Sequence, residues 1–153
     1  MILNTHQKNI ATFIHLSTFS RFIIPLGNFI GPIILWVSNK DKSEFVDKHG
    51  KQAINFQLSI LLYTFLIGSI TIPLFLFGVL NHIDFPEFWQ AYDFDFDFHL
   101  SSHDSYNVII FSILAGLLVI AAFVLEIIFI IIATSKANQG EPYKYPLTIN
   151  FLK

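Results

Sequence analysis

Two long apolar runs dominate the chain. No charged residue occurs over 53–80, and only Glu126 interrupts the run over 108–135; each run is 28 residues long. About 20 apolar residues carry an α-helix across the hydrocarbon core of a bilayer. Both runs therefore predict transmembrane helices with length to spare for tilt or a bend. Gly68, Pro73 and Gly78 give the first run places to bend. Two fully buried helices of a soluble protein are the alternative, but so small a chain holds too little other protein to cover them.

The pattern before residue 53 is different. The stretch "FIHLSTFSRFIIPLGNFIGPIILWV", residues 13–37, is long enough to span once, yet it carries Arg21, Pro25, Gly27, Asn28, Gly31 and Pro32. An unbroken span would hold the Arg21 charge inside hydrocarbon at a cost of a few kcal/mol. Pro25 lacks a backbone donor and disfavours helix at Ile24. The expectation is a break at Pro25 between two short helices, over about 6–23 and 28–38, with Pro32 near the first turn of the second. In the first, Ile10, Phe13, Leu16, Phe19 and Phe22 recur every third residue beside a polar row of Asn9, Thr12, His15, Thr18 and Arg21. Such a stripe either lies in the membrane interface or packs its polar side inward.

These elements make an all-α integral membrane protein. It is a small bundle of three to four helices in a single domain: broken N-terminal helices over 6–38, spans over 53–80 and 108–135, an acidic loop over 81–107 and a tail over 136–153. Composition agrees. Of 153 residues, 54% are apolar and 13% charged, against roughly 25% charged in soluble domains. The absence of cysteine excludes disulfides, thiolate nucleophiles and cysteine metal sites. The start of the chain lacks the order of a cleaved signal peptide.

The net charge of −2 matters less than its distribution. Lys40, Lys42, Lys48 and Lys51 fall in 38–52, and Lys136, Lys144 and Lys153 in the tail, whereas 81–107 has no lysine or arginine. The positive-inside rule places 38–52 and the C-terminus in the cytoplasm and 81–107 outside. Lys8 and Arg21 favour a cytoplasmic N-terminus.

Few residues offer chemistry. Glu126, an ionisable group within a span, is a functional candidate by position. It lies nine residues before Ser135, and the same depth in the antiparallel run reaches Leu62 and Tyr63, so Tyr63 is a candidate hydrogen-bond donor to its carboxyl. The two readings are a proton or cation relay and a paired carboxyl that fixes helix packing. Asn55 and Gln57 suit interhelical hydrogen bonding near the start of the first span. Arg21 and Asn28 flank the break, where discontinuous helices in transporters line sites. No paired catalytic groups, phosphate-cradling glycine loop or HExxH spacing occurs, so neither enzyme activity nor a cofactor is expected. Nucleic-acid binding is not expected either, since the few basic residues are offset by acids.

The loop contains "YDFDFDFHLSSHD", residues 92–104. In an extended segment its period of two sets Phe94, Phe96 and Phe98 on one side and Asp93, Asp95 and Asp97 on the other. His82, His99, His103 and the nearby aspartates lack the spacing of a metal motif and the loop has no glycine, so no metal is expected. The stretch reads as an amphipathic cover that marks the outer face, or as a surface for an extracytoplasmic partner.

The segment "PLGNFIGPIILWVSNKDKSEFVDKHGKQAINFQLSILLY" and the close "ANQGEPYKYPLTINFLK" resemble the domain-of-unknown-function 4870 family of small bacterial membrane proteins. That family is distantly similar to the chloroplast inner-envelope import subunit Tic-twenty. The resemblance covers roughly 10–80 and 108–153 and leaves the acidic loop as an insertion. It implies a helical protein of the bacterial inner membrane with no enzyme activity, and marks Pro32, Trp36, His49, Ala53, Asn55, Phe56, Gly140, Tyr145 and Pro146. Trp36 suits an interfacial belt, and His49 and Asn55 are expected to close together. The function expected is a scaffold or an assembly or translocation-related subunit, working through membrane lipid, other membrane proteins or self-association. The alternative is a small ion, proton or solute transporter or channel built on Glu126 and the broken helices.

Overall fold

The computed structural model describes residues 4–80 and 102–153, so the alternating aspartates lie outside the described residues. Four α-helices occur among the described residues, and no strand: α1 (Thr5–Leu16), α2 (Gly27–Val37), α3 (Glu44–Leu80) and α4 (Ser102–Gln139). Contacts divide the chain into one unit of Met1–Tyr63 with Phe123–Lys153 and another of Thr64–Ala122.

Local chemistry explains each boundary in the N-terminal region. Asn4 caps α1 by accepting from the His6 amide, and Gln7 reaches back to the Asn4 amide to complete a capping box. The first short helix, expected to run unbroken to about residue 23, instead tightens into a 3-10 segment over Ser17–Phe22. The hydroxyls of Ser17, Thr18 and Ser20 each donate to the carbonyl three residues back (2.7, 2.7 and 2.6 Å). Such side-chain bonds compete with the α-helical ladder and favour the tighter winding. The chain then breaks around Pro25, and Leu26 takes a left-handed conformation (φ 60°) before α2 begins.

α2 folds back onto the 3-10 segment through its glycines. A Cβ on Gly27 would lie 2.4 Å from the Ser20 carbonyl oxygen, and one on Gly31 2.8 Å from that of Ser17. Pro32 is not in the first turn as expected: it is the sixth residue of α2 and is buried. Trp36, expected in an interfacial belt, also packs within the bundle. Its indole N–H donates to Asp47 (2.8 Å), and the ring lies against Gly50 of α3.

Both long helices extend beyond their apolar runs. α3 starts at Glu44, where the Ser43 hydroxyl accepts from the Val46 amide (3.5 Å). α4 continues past Ser135 to Gln139 and ends in a Schellman motif. There Gly140 is left-handed (φ 83°), and the Gly140 and Glu141 amides donate to the Ala137 and Lys136 carbonyls (3.0 and 2.9 Å). The tail then runs without helix to Lys153.

The first unit has two apolar clusters, one of Phe56, Ile130, Ala133 and Tyr145, the other of Ile14, Val46 and Ala53. The polar row of α1 packs inward: Thr12, His15 and Thr18 are buried, while Phe13, Leu16 and Phe22 are exposed. In the second unit the described side chains are largely exposed apolar ones, among them Ile67, Ile70, Ile113, Leu117 and Val119. Two segments, Glu44–Pro73 and Ser112–Gln139, are long and apolar enough to cross a membrane, and only 11% of the most apolar window in the latter is buried. That share is too small for the core helix of a soluble protein.

The close approach at Gly50 makes a test. Within a helix, glycine to alanine ordinarily stabilises by about 1 kcal/mol. A Cβ on Gly50 would meet the Trp36 ring at 2.1 Å, whereas one on Gly116 meets nothing within 4 Å. Gly50→Ala is expected to lower stability by about 1–3 kcal/mol through overpacking. Gly116→Ala is expected to be neutral or stabilising, both read by thermal unfolding in mild detergent.

Candidate functional site

The polar groups of the first unit gather around the first half of α3. Asn55, Ser59 and Tyr63 are four residues apart and therefore share one helix face. Each holds the tail. The Asn55 amide donates to the Leu152 carbonyl (3.0 Å), and its oxygen accepts from the Leu152 amide (2.8 Å). The Ser59 hydroxyl accepts from the Ile149 amide (2.9 Å). Tyr63 donates to the carbonyl of Leu147 (2.8 Å), a residue in the left-handed region (φ 57°). A non-helical tail has no ladder for its backbone groups, and these side chains stand in for one.

A second network joins four elements. Glu126 of α4 is buried and pairs with Arg21 of the 3-10 segment. The Gln57 amide of α3 also donates to Glu126 (3.4 Å), and Asn28 of α2 donates to the Gln57 oxygen (2.8 Å). The break at Pro25 permits this, because it lets Arg21 and Asn28 approach from separate segments. Burial takes such a group out of water, and a counter-charge and hydrogen-bond donors offset that desolvation.

A third chain of polar contacts is wholly buried. His15 Nε2 lies 2.8 Å from His49 Nδ1, and the Tyr145 hydroxyl 2.9 Å from His15 Nδ1. The Tyr145 ring stacks on Phe56, with centroids 4.1 Å apart. Burial, then the neighbouring His49, pulls the His15 pKa down from 6.5 to about 3. Burial likewise pushes the Tyr145 hydroxyl well above its ordinary value of 10. His15 is thus neutral at physiological pH. Below pH 6.5 an unfolded chain takes up a proton that the folded one refuses, so this group's contribution to stability is lost between 6.5 and about 3.

The sequence candidates divide accordingly. Arg21, Asn28 and Glu126 come together, with Gln57 between them. Tyr63 does not donate to Glu126. Glu126 lies thirteen residues from the end of α4, and thirteen residues into α3 is Gln57. Counting depth from the apolar runs omitted the polar turns at both helix ends. His49 and Asn55 do not pair either: His49 meets His15, and Asn55 meets the tail. Tyr145 was marked only by the resemblance, with no role in the core, and His15 was not a candidate. His15 stood in the polar row of α1, but nothing local reveals a partner 130 residues away.

Each of these networks ties separate segments of the chain together. The carboxylate is matched by a guanidinium, and no group of three or more histidine or acidic residues is placed to hold a metal among the described residues. Glu126→Gln would leave Arg21 unmatched and is expected to cost about 2 kcal/mol, less than a fully buried pair because Arg21 is partly exposed. The double variant Arg21→Met/Glu126→Met is expected to cost less than the sum of its single changes. Detergent unfolding of the four proteins measures the coupling, and simple additivity would refute it.

No curated protein and no solved structure matches the chain. A family model does, over residues 6–152. It is not the domain-of-unknown-function 4870 family or a Tic-twenty relative, so the resemblance drawn from the "HGKQAINFQLS" segment and the tail is corrected. The matched span also runs through the acidic loop instead of leaving it outside. The chain belongs to the MamF/MmsF magnetosome magnetite crystal formation protein family.

Proposed function

We propose that the chain is an integral protein of the magnetosome membrane that acts in magnetite crystal formation as a non-enzymatic scaffold or assembly subunit. The family match carries this reading. The apolar segments over 53–80 and 108–135 then cross the bilayer, with the lysine-bearing side in the cytoplasm and 81–107 facing the growing crystal. The membrane is that of the magnetosome, in place of the inner membrane that the earlier resemblance implied. Six of the chain's eleven acidic residues fall in 81–107, with no lysine or arginine. Carboxylate oxygens suit hard cations such as those exposed on an iron oxide surface. Membrane lipid, other membrane proteins and further copies of the chain are the partners expected of such a scaffold.

Transport through Glu126 is less well supported. The Glu126 carboxyl that a relay would use is already engaged by Arg21 and Gln57. Asn28 is likewise occupied by Gln57.

The test is Asp93→Asn, Asp95→Asn and Asp97→Asn together, in a magnetite-forming cell with no other copy of the protein. Membrane insertion and protein level should stay unchanged, while electron microscopy should show smaller or less regular crystals. Normal crystals in that variant would dismiss the acidic loop as the working surface. Normal crystals after deletion of the whole chain would dismiss the crystal-forming role itself.

A further inference from the structure

One cavity of the first unit plays no part in the three networks. It has a volume of about 540 Å³ between the start of α3 and the tail. Lys48 and Lys51 line it from α3 and Lys144 and Lys153 from the tail, and no aspartate or glutamate is among its lining residues. The two helix lysines are paired with Glu44 and Asp47 (2.8 and 2.6 Å). Lys144 and Lys153 enter no ion pair with an aspartate or glutamate side chain among the described residues.

His49, also in the lining, supplies an independent observation. Its side chain is 1% exposed, and its Nε2 has no hydrogen-bond partner. The Glu141 main-chain carbonyl stands near without closing a bond of good geometry. The hydrogen-bond chain assigns the proton on that nitrogen. Tyr145 has one hydroxyl hydrogen and one partner, His15 Nδ1. If it donates there, His15 carries its proton on Nε2 and donates to His49 Nδ1, which leaves the His49 proton on Nε2. The reverse assignment wastes both the hydroxyl hydrogen and the Nε2 lone pair. A buried N–H whose nearby acceptor, the Glu141 carbonyl, is poorly placed is under-satisfied, and an anion in the cavity supplies a better-placed acceptor.

We propose that this cavity binds a phosphate-type anion, held by Lys144 and Lys153 and accepting a hydrogen bond from His49 Nε2. The anion comes either from the headgroup of an anionic phospholipid or from free phosphate. Juxtamembrane lysines are attracted to anionic lipid, but the shaped cavity and the buried donor distinguish this site from a diffuse basic patch. The proposal does not depend on the mineral-facing reading of the loop.

The experiment uses the full chain. Thermal unfolding is followed in mild detergent with increasing inorganic phosphate, and in nanodiscs of phosphatidylcholine with and without phosphatidylglycerol. Stabilisation by phosphate in detergent identifies free phosphate, and stabilisation by phosphatidylglycerol alone identifies the headgroup. In either case Lys144→Gln/Lys153→Gln is expected to weaken the effect about tenfold or more, while Lys40→Gln/Lys42→Gln, which removes equal charge outside the cavity, retains it. Circular dichroism confirms that the exposed substitutions leave the helices intact. No stabilisation in either medium, an unaffected double variant, or equal losses in both variants would overturn the proposal.

Discussion

Glu126 stands in a helix that is otherwise apolar for most of its length, and its charge has to be met. That constraint organises the packed unit. Arg21 reaches it only because the chain winds as a 3-10 segment after α1. Asn28 joins through Gln57 only because the helix breaks at Pro25 and resumes as α2. An ion pair of this kind contributes little net stability against well-packed hydrophobic residues. Its effect is directional: one arrangement of four segments satisfies the carboxylate, and others leave it bare.

The tail poses the same problem in backbone form. Residues beyond Gly140 have no helical ladder, so their amides and carbonyls require partners. α3 supplies them from one face, with Asn55 offering both a donor and an acceptor to Leu152 in the manner of a neighbouring strand. Tyr145 then inserts between Phe56 and the His15–His49 pair, tying the tail to α1 as well as α3. The glycines make the approaches close enough: Gly27 and Gly31 against the 3-10 segment, Gly50 against Trp36.

What could be read from the sequence follows from how local each cause is. The two long apolar helices and the break at Pro25 rest on composition and proline sterics within a few residues, and both appear. The helix stop at Gly140 is equally local. The 3-10 winding was missed because three hydroxyls act together, each too weak a signal alone. Arg21, Asn28 and Glu126 stood out as polar residues in apolar surroundings, but their common partner Gln57 required the true helix ends, which lie in polar turns beyond the hydrophobic runs. Tyr145 was invisible as a core residue, because an aromatic in a polar tail gives no sign of where the tail docks.

The way the polar groups are used also separates structure from function. Arg21, Glu126, Gln57, Asn28, Asn55, Ser59 and Tyr63 all spend their hydrogen bonds on other parts of the same chain. Groups so committed hold separate segments of the chain to one another. The capacity that remains lies in two places: the carboxylates of 81–107, by their number and the absence of counter-charge in the sequence, and the lysine-lined cavity with its buried unpartnered donor. One is acidic and the other basic, and in the proposed topology they lie on opposite faces of the membrane. In the proposed scaffold, the internally paired polar groups hold the shape, and those two surfaces make the contacts.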